Sequence, residues 1–420
     1  MIKTIELQPG ITLRCFGDSR FKQGCLSLQL VRPMCRQEAA LNALIPAVLL
    51  RGTVTAPDLR AITARLDDLY GAAVGPVVRR VGDYQTTGLV CGFISDRYAL
   101  PGDRVLEPVI EFLGQLLLEP VTEKGSFRAD YVKGEKTNLI AAIEAQRNDK
   151  RAYAGSQMLR KMCKKDSFGI PRLGEAGQVR RITAKAAWEH YQKILRESRM
   201  DIFYVGQAEP ETVAKALKPL LDRLERNYVN LPEQTAYQPC RKGSYTETME
   251  VSQGKLCMGF MTPITIRDRE FAAMQVCNVL FGGGMTSLLF MNIREKLSLC
   301  YDIGSGYHSA KGIVAVSAGI DCDKYDTVKK QVLQQLRICQ KGEFTQEQLD
   351  AAKQAVISSL QGVHDSPGSI ESYYATSALS GLNMDPAQYK AAVEQVTAAQ
   401  VTAAAQTLQL HTDYFLKGVQ

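Results

Sequence analysis

The chain has 420 residues, of which 45% are hydrophobic and 23% charged, and a formal net charge of +7. That length suits two domains of about 200 residues, each able to bury a core. The mild charge, with basic residues interleaved with acids as in Arg267-Asp268-Arg269-Glu270, argues against nucleic acid as a partner.

No apolar run approaches the ~20 residues that cross a bilayer, and MIKTIELQPG lacks the apolar centre of a secretion signal. Both points favour the cytoplasm, away from membranes. The eleven cysteines are odd in number and contain no C-x-x-C. Cys91 in GLVCGF and Cys277 in MQVCNVL sit in apolar runs. They read as small buried hydrophobes in a reducing compartment, not as a disulfide framework or a metal site.

The predicted elements begin with a strand, CLSLQLV (25–31), and an apolar helix, AALNALIPAVLL (39–50). Alternating apolar and polar residues over 69–94 predict a hairpin. Helices are expected over about 104–118 and 126–147. Thr183 is placed to cap a helix over 184–195, which runs into the strand MDIFYVG (200–206). The polar stretch 230–243, with Pro232 and Pro239 and no periodicity, reads as a linker.

The same order then recurs. A strand (KLCMGFM, 255–261) precedes an apolar helix (FAAMQVCNVLF, 271–281) and a hairpin over 299–320. Helices follow over 324–340 and 345–362. The latter opens with a Thr345-x-x-Gln348 capping box and sets Leu349, Ala352, Val356 and Leu360 on one face. Thr397 caps the last helix, which runs into DYFLKG (413–418). A repeat of about 210 residues is a domain duplication, not a solenoid. The expected fold class is α+β: two homologous domains, 1–229 and 244–420, each an antiparallel-rich sheet packed with helices, joined by 230–243.

The most informative stretch is LFGGGMTSLLFMNIREKLSLCY, residues 280–301. Its glycines break one helix and open another, and without a G-x-x-x-x-G-K-[ST] pattern they do not make a phosphate loop. The segment resembles the second-domain signature of the insulinase/pitrilysin zinc peptidases, roughly GGGMSSRLF…REKRGLAY. Leu297, Ser298 and Cys300 stand where arginine, glycine and alanine are common, and Leu288 or Leu289 replaces another frequent arginine. The stretch 182–213 is similar to the end of the family's first domain, so the resemblance spans nearly the whole chain.

The resemblance implies a half-clam of two homologous domains that pairs with another. It also implies a zinc motif, H-x-x-E-H, on a first-domain helix, where two imidazoles one turn apart share the metal and the glutamate activates water. Here the stretch that follows the motif survives as Val48-Leu49-Leu50-Arg51-Gly52-Thr53. Counting back puts Ala43 and Ala47 at the histidines and Pro46 at the glutamate, where a proline is also expected to kink the helix. On the later helix that carries the third ligand, Ala141 and Ala142 take the glutamate positions, with Glu135 and Glu144 nearby. His190, His308, His364 and His411 are scattered and offer no replacement set.

What the resemblance leaves is the opposite wall of the active site. Arg294 and Tyr301 match residues that bind the substrate backbone and polarise the scissile carbonyl, and Gly283 and Gly284, upstream of them, are expected to bind substrate as well. A guanidinium and a phenol can both stabilise a developing oxyanion. The implied function is a subunit without catalysis or cofactor of its own. It supplies these contacts to a homologous zinc-bearing subunit, or to a second copy of itself, in cleaving peptides or unfolded segments. The alternative is an inactive binding or scaffold protein, associated with modification of a cytosolic protein such as elongation factor P.

Overall fold

The computed structural model describes residues 2–418 apart from 236, 238 and 239, so three positions of the expected linker lie outside the described residues. The first half opens with strands β1 (Ile2–Gln8), β2 (Ile11–Gly17) and β3 (Gln23–Pro33). Helices α1 (Ala39–Leu49) and α2 (Leu59–Asp68) lead into the hairpin β4 (Ala73–Val81) and β5 (Tyr84–Ile94). Then come α3 (Leu106–Leu118), the short pair β6 (Thr122–Glu123) and β7 (Ser126–Phe127), and α4 (Ala129–Ala145). The half closes with α5 (Lys150–Met162), α6 (Ala176–Arg181), α7 (Ala184–Glu197), β8 (Arg199–Gly206) and α8 (Pro210–Leu221).

The second half repeats this order. β9 (Gly243–Met249) and β10 (Gly254–Met261) lead to α9 (Phe271–Gly282), and a π-helical segment, Leu289–Lys296, precedes the hairpin β11 (Asp302–His308) and β12 (Ile313–Ile320). α10 (Tyr325–Lys341), α11 (Gln346–Gln361), α12 (Pro367–Ser380), α13 (Pro386–Glu394), α14 (Ala398–Gln406) and β13 (Gln409–Gly418) complete it. Thr183 caps α7 by accepting from Ala186 N–H, and Thr397 and Thr345 do the same in full capping boxes.

Duplication is plain in the strand order. One sheet runs β1-β2-β8-β3-β5-β4 and the other β11-β12-β10-β13-β9. Read in opposite directions they coincide, with β1 as the extra strand. The strand ending each half lies parallel to one neighbour and antiparallel to the other: β8 to β2 and β3, β13 to β9 and β10. Gly206 pairs with Gly17, and Gly418 with Met249, at the same end of equivalent strands. Five residues before each glycine is a buried aspartate. Asp201 is held by Arg14 and Arg199, and Asp413 by Ser244, Tyr325 and Lys329. The fold is α+β, with antiparallel-rich sheets and helices in two duplicated halves.

The two compact units are not contiguous in sequence. One comprises residues up to Glu144, Ile170–Glu233 and His364–Thr376; the other Ala145–Gly169, Gln234–Val363 and Ser377 onwards. Thus α5, from the first half of the chain, belongs to the second unit, and most of α12, from the second half, belongs to the first. In the first unit most of α12 lies on the sheet, and its Glu371, 2% exposed, accepts from Ser27, Gln29 and Arg79. In the second, α5 packs on β10, β12 and β13. Gly259 of β10 permits this approach, since a Cβ there would lie 2.6 Å from Met162 Sδ and 2.7 Å from Met158 Sδ. Beyond α5, buried Asp166 pairs with buried Lys311 at 3.1 Å. A buried ion pair broken on one side costs several kcal/mol, about 3–5, so both exchanged segments are pinned by charge.

Among the described residues no helix is long and apolar enough to cross a membrane.

Candidate functional site

In the first unit α1 presents the three positions where the resemblance expects metal chemistry. Ala43 and Pro46 are buried and Ala47 is half-buried. None has a donor atom. The helix continues through Pro46, and Leu50 N–H donates to Pro46 O at 3.2 Å. Proline cannot donate to the Asn42 carbonyl one turn back; Thr87 Oγ1 on β5 does so instead, at 2.6 Å.

The space beside α1 holds a closed amide network. Asn42, fully buried, donates to Gln85 Oε1 at 2.9 Å, and its own oxygen faces His190 Nε2 at 2.7 Å. Gln85 in turn donates to the carbonyls of Ala39 and Arg172. Because the Asn42 amide donates to Gln85, its oxygen must accept, and His190 carries its proton on Nε2. Burial pushes His190 down to about 4, despite the nearby Glu38 carboxylate. Glu38 is raised by burial, but Lys193 and Arg32 outweigh that and hold it below the usual carboxylate range.

The carboxylates near the third-ligand position are also engaged. Glu135 bonds Arg51 at 2.5 Å and Glu144 bonds Arg180 at 2.6 Å. Among the described residues no three His, Cys, Asp or Glu side chains are grouped to hold a metal ion. A zinc ion does not fit the donor set around α1.

The second unit carries a cleft of about 530 Å³. Its floor is the small-residue face of β11 and β12: Gly304, Gly306, Ala315 and Ser317. One wall is the glycine run Gly282-Gly283-Gly284 with Phe290 and Arg294. Gly282 is required there, because a Cβ would lie 2.6 Å from Leu289 Cδ1 and 2.7 Å from Ser305 Oγ. Arg151, at the start of α5, forms the opposite side, with Asp302 beside it.

The helix bearing Arg294 is wound with i→i+5 bonds, such as Leu297 N–H to Asn292 O at 3.2 Å. π-helical turns are rare and concentrate at functional sites. The winding ends at Ser298, whose φ is +50°. That left-handed conformation favours glycine, the residue common at this position in the resembled signature. Here serine adopts it.

The structure places the four expected binding residues unequally. Gly283, Gly284 and Arg294 line the cleft; Tyr301 does not. The Tyr301 ring is 56% exposed and its hydroxyl donates to Asp321 Oδ1 at 3.2 Å. Lys324, and to a lesser degree this hydroxyl, hold Asp321 below its ordinary range. The Arg294 guanidinium stacks on Phe290 at 4.6 Å, with its nearest carboxylate, Glu295, at 3.6 Å. Arg151 was missed by sequence reading, since it lies in the other half of the chain and carries no local motif. Half-buried Cys300 is pushed up to about 11, by burial first and by Asp302 second, so it stays a thiol and is not a nucleophile.

Comparison with known proteins agrees with this geometry. Residues 181–356 match the family described as peptidase M16 inactive domain. The chain is 28% identical over 411 residues to YmfF of Bacillus subtilis (strain 168), a probable inactive metalloprotease, covering 98% of this chain and 96% of that one. A crystal structure of a conserved protein from Enterococcus faecalis V583 superposes with a TM-score of 0.93 at 25% identity, covering 100% and 99% of the two chains. The peptidase M16 inactive domain structure from Pseudomonas fluorescens shares the fold, with a TM-score of 0.83 at 17% identity and 100% and 98% coverage. The chain is thus peptidase-like in fold. It is similar to the insulinase/pitrilysin family, the M16 peptidases, through residues 181–356 and through these relatives.

Proposed function

We propose that this chain is the non-catalytic subunit of a two-chain metallopeptidase. It offers the cleft of the second unit, with Arg294 and the Gly283-Gly284 run, to a peptide held against a homologous zinc-bearing subunit. Arg294 binds the substrate backbone there and steadies negative charge that develops on the scissile carbonyl. Tyr301 joins once its hydroxyl leaves Asp321. The protein acts in the cytoplasm, where eleven cysteines outside any disulfide are at home.

One asymmetry carries this reading. Around α1 the space is filled by Asn42, Gln85 and His190 bonded to one another, whereas the Arg294 cleft stays open and lined with glycine. A chain that had lost all peptide work would have no use for an arginine held over an aromatic ring beside an empty small-residue floor. The competing reading, a scaffold without substrate contacts, is favoured by one observation: Tyr301 is bonded to Asp321 and absent from the cleft lining.

The deciding experiment mixes the purified chain with a homologue of similar length that carries intact H-x-x-E-H. Peptide cleavage that neither chain shows alone is the expected result. If a complex forms without any gain in cleavage, the scaffold reading stands instead.

A further inference from the structure

The cleft holds two guanidiniums, and they come from distant parts of the chain. Arg294 belongs to the π-helical wall, while Arg151 reaches the floor from α5. Their side chains are 41% and 51% exposed, so both remain open to a ligand. Arg151 spends only its Nε, donating to Ser317 Oγ at 3.1 Å. Its nearest carboxylate oxygen, on Asp302, stands 3.9 Å from Nη1, beyond hydrogen-bond distance. Asp302 faces Arg151 with Oδ2, while its Oδ1 accepts from Gly319 N–H at 2.9 Å. Among the described residues Arg294 likewise has no carboxylate within hydrogen-bond distance, its contact to Glu295 being 3.6 Å.

With two guanidiniums and one carboxylate, Asp302, in its lining, the cleft keeps a net positive charge that an anion can join. Each guanidinium is also oriented. Phe290 fixes the plane of Arg294, and the Ser317 bond fixes Arg151 while leaving its two terminal nitrogens free. A planar fork so presented suits a carboxylate, which it can bond with two parallel hydrogen bonds. The floor between the two has no bulk: the hypothetical Cβ of Gly304 would lie 3.3 Å from Gly282 O and 3.8 Å from Arg151 Nη2.

We infer that this cleft selects peptides by a carboxylate, which Arg151 and Arg294 grip together, with Arg151 the residue that sets the specificity. This rests on the peptide-binding reading above and deepens it. Backbone recognition alone needs one guanidinium and is indifferent to peptide charge; two oriented forks are not.

The test measures fluorescence anisotropy of labelled peptides with the full chain at low salt. One glycine- and serine-rich sequence is used in four forms: with an internal Glu or Gln, and with a free or amidated C-terminus. Carboxylate-bearing forms should bind roughly ten- to a hundredfold more tightly than the neutral amide, the range for hydrogen bonds to charged groups. Arg151→Gln should erase that preference, weakening the carboxylate-bearing forms far more than the neutral amide, and Arg151→Lys should restore it only in part. Loss of preference on Glu→Gln identifies a side-chain carboxylate, and loss on amidation identifies the terminus. Equal binding of all four forms overturns carboxylate selection but leaves peptide binding in place. Binding of none overturns both readings. Circular dichroism of Arg151→Gln confirms that an exposed substitution has not unfolded the chain.

Discussion

Thr87 Oγ1 donates to the Asn42 carbonyl at 2.6 Å, replacing a bond that Pro46 cannot make within its own helix. The hydroxyl is on β5 and the carbonyl on α1, so the sheet repairs the helix. Proline inside a helix ordinarily costs about 3 kcal/mol, part of it from the unmet carbonyl. Here the partner is 1% exposed and well placed, and α1 stays unbroken.

Removing that hydroxyl leaves the Asn42 carbonyl buried and unpaired. Thr87→Val should therefore destabilise the protein by about 1–3 kcal/mol in urea unfolding. In a Pro46→Ala background, where residue 46 again supplies an N–H, the same change should cost clearly less. A double-mutant cycle measures the difference. Equal costs in both backgrounds would mean that Thr87 does not act through this carbonyl.

His190 predicts a pH dependence. Its folded pKa of about 4 lies below the ordinary value of 6.5 because burial disfavours the charged ring. The unfolded chain then binds more protons between these values, so stability is full above about 6.5 and falls as the pH drops toward 4. The loss attributable to His190 is about 2–3 kcal/mol. Glu38, depressed by Lys193 and Arg32, adds a loss of the same sign only as the pH nears 4.5 and below. His190→Gln should flatten the slope from pH 6.5 to 4.5 relative to the parent chain. Parallel slopes would show that the ring titrates normally in the fold.

Much of this architecture could be read from the sequence. The duplication was visible because D-x-F-x-x-G recurs at Asp201 and Asp413, each preceded by a threonine-capped helix. Arg294 was visible because its neighbours form a compact local signature. Three features were not. The exchange of α5 and α12 depends on pairings such as Arg79 with Glu371, hundreds of residues apart, which leave no local periodicity. The polar residues Ser27 and Gln29 give no sign that they are buried beneath α12. The position of Tyr301 was set by Asp321, twenty residues downstream, and not by the motif that contains it. Arg151 belongs with the first of these: only the placement of α5 brings it to Ser317 and Asp302.

Ser298 offers a test of how closely the backbone follows the resembled signature. At φ +50° serine carries strain of about 1 kcal/mol that glycine does not. Ser298→Gly adds freedom to the unfolded chain, which offsets part of the gain. The net expectation is stabilisation by about 0.5 kcal/mol, seen as a raised urea midpoint at unchanged slope. Ser298→Val, with a branched side chain in the left-handed region, should instead destabilise by more than 1 kcal/mol, within the ~1–3 kcal/mol range for such strain. If valine were tolerated as well as glycine, the turn after the π-helical segment would have to adopt another conformation.

In the proposed two-chain enzyme Arg294 and Tyr301 are expected to contribute unequally. With the zinc-bearing subunit present, Arg294→Ala should lower turnover while the complex still assembles. A guanidinium that meets charge only as it develops on the carbonyl is expected to contribute about 2–4 kcal/mol, the scale of one oxyanion donor. The loss should fall on kcat more than on KM, because a contact made mainly in the transition state leaves ground-state binding nearly intact. Arg294→Lys should recover only part of it. An ammonium keeps the charge but loses the planar fork and the stacking on Phe290 that aims it. Tyr301→Phe should cost less than Arg294→Ala, since the hydroxyl must first give up Asp321 and the net gain on meeting substrate is correspondingly small. Asp321→Asn weakens that competing bond and should therefore raise turnover in the parent chain but not in the Tyr301→Phe background. Full activity in Arg294→Ala, with assembly intact, would leave the cleft without a part in catalysis and make its arginine a structural residue.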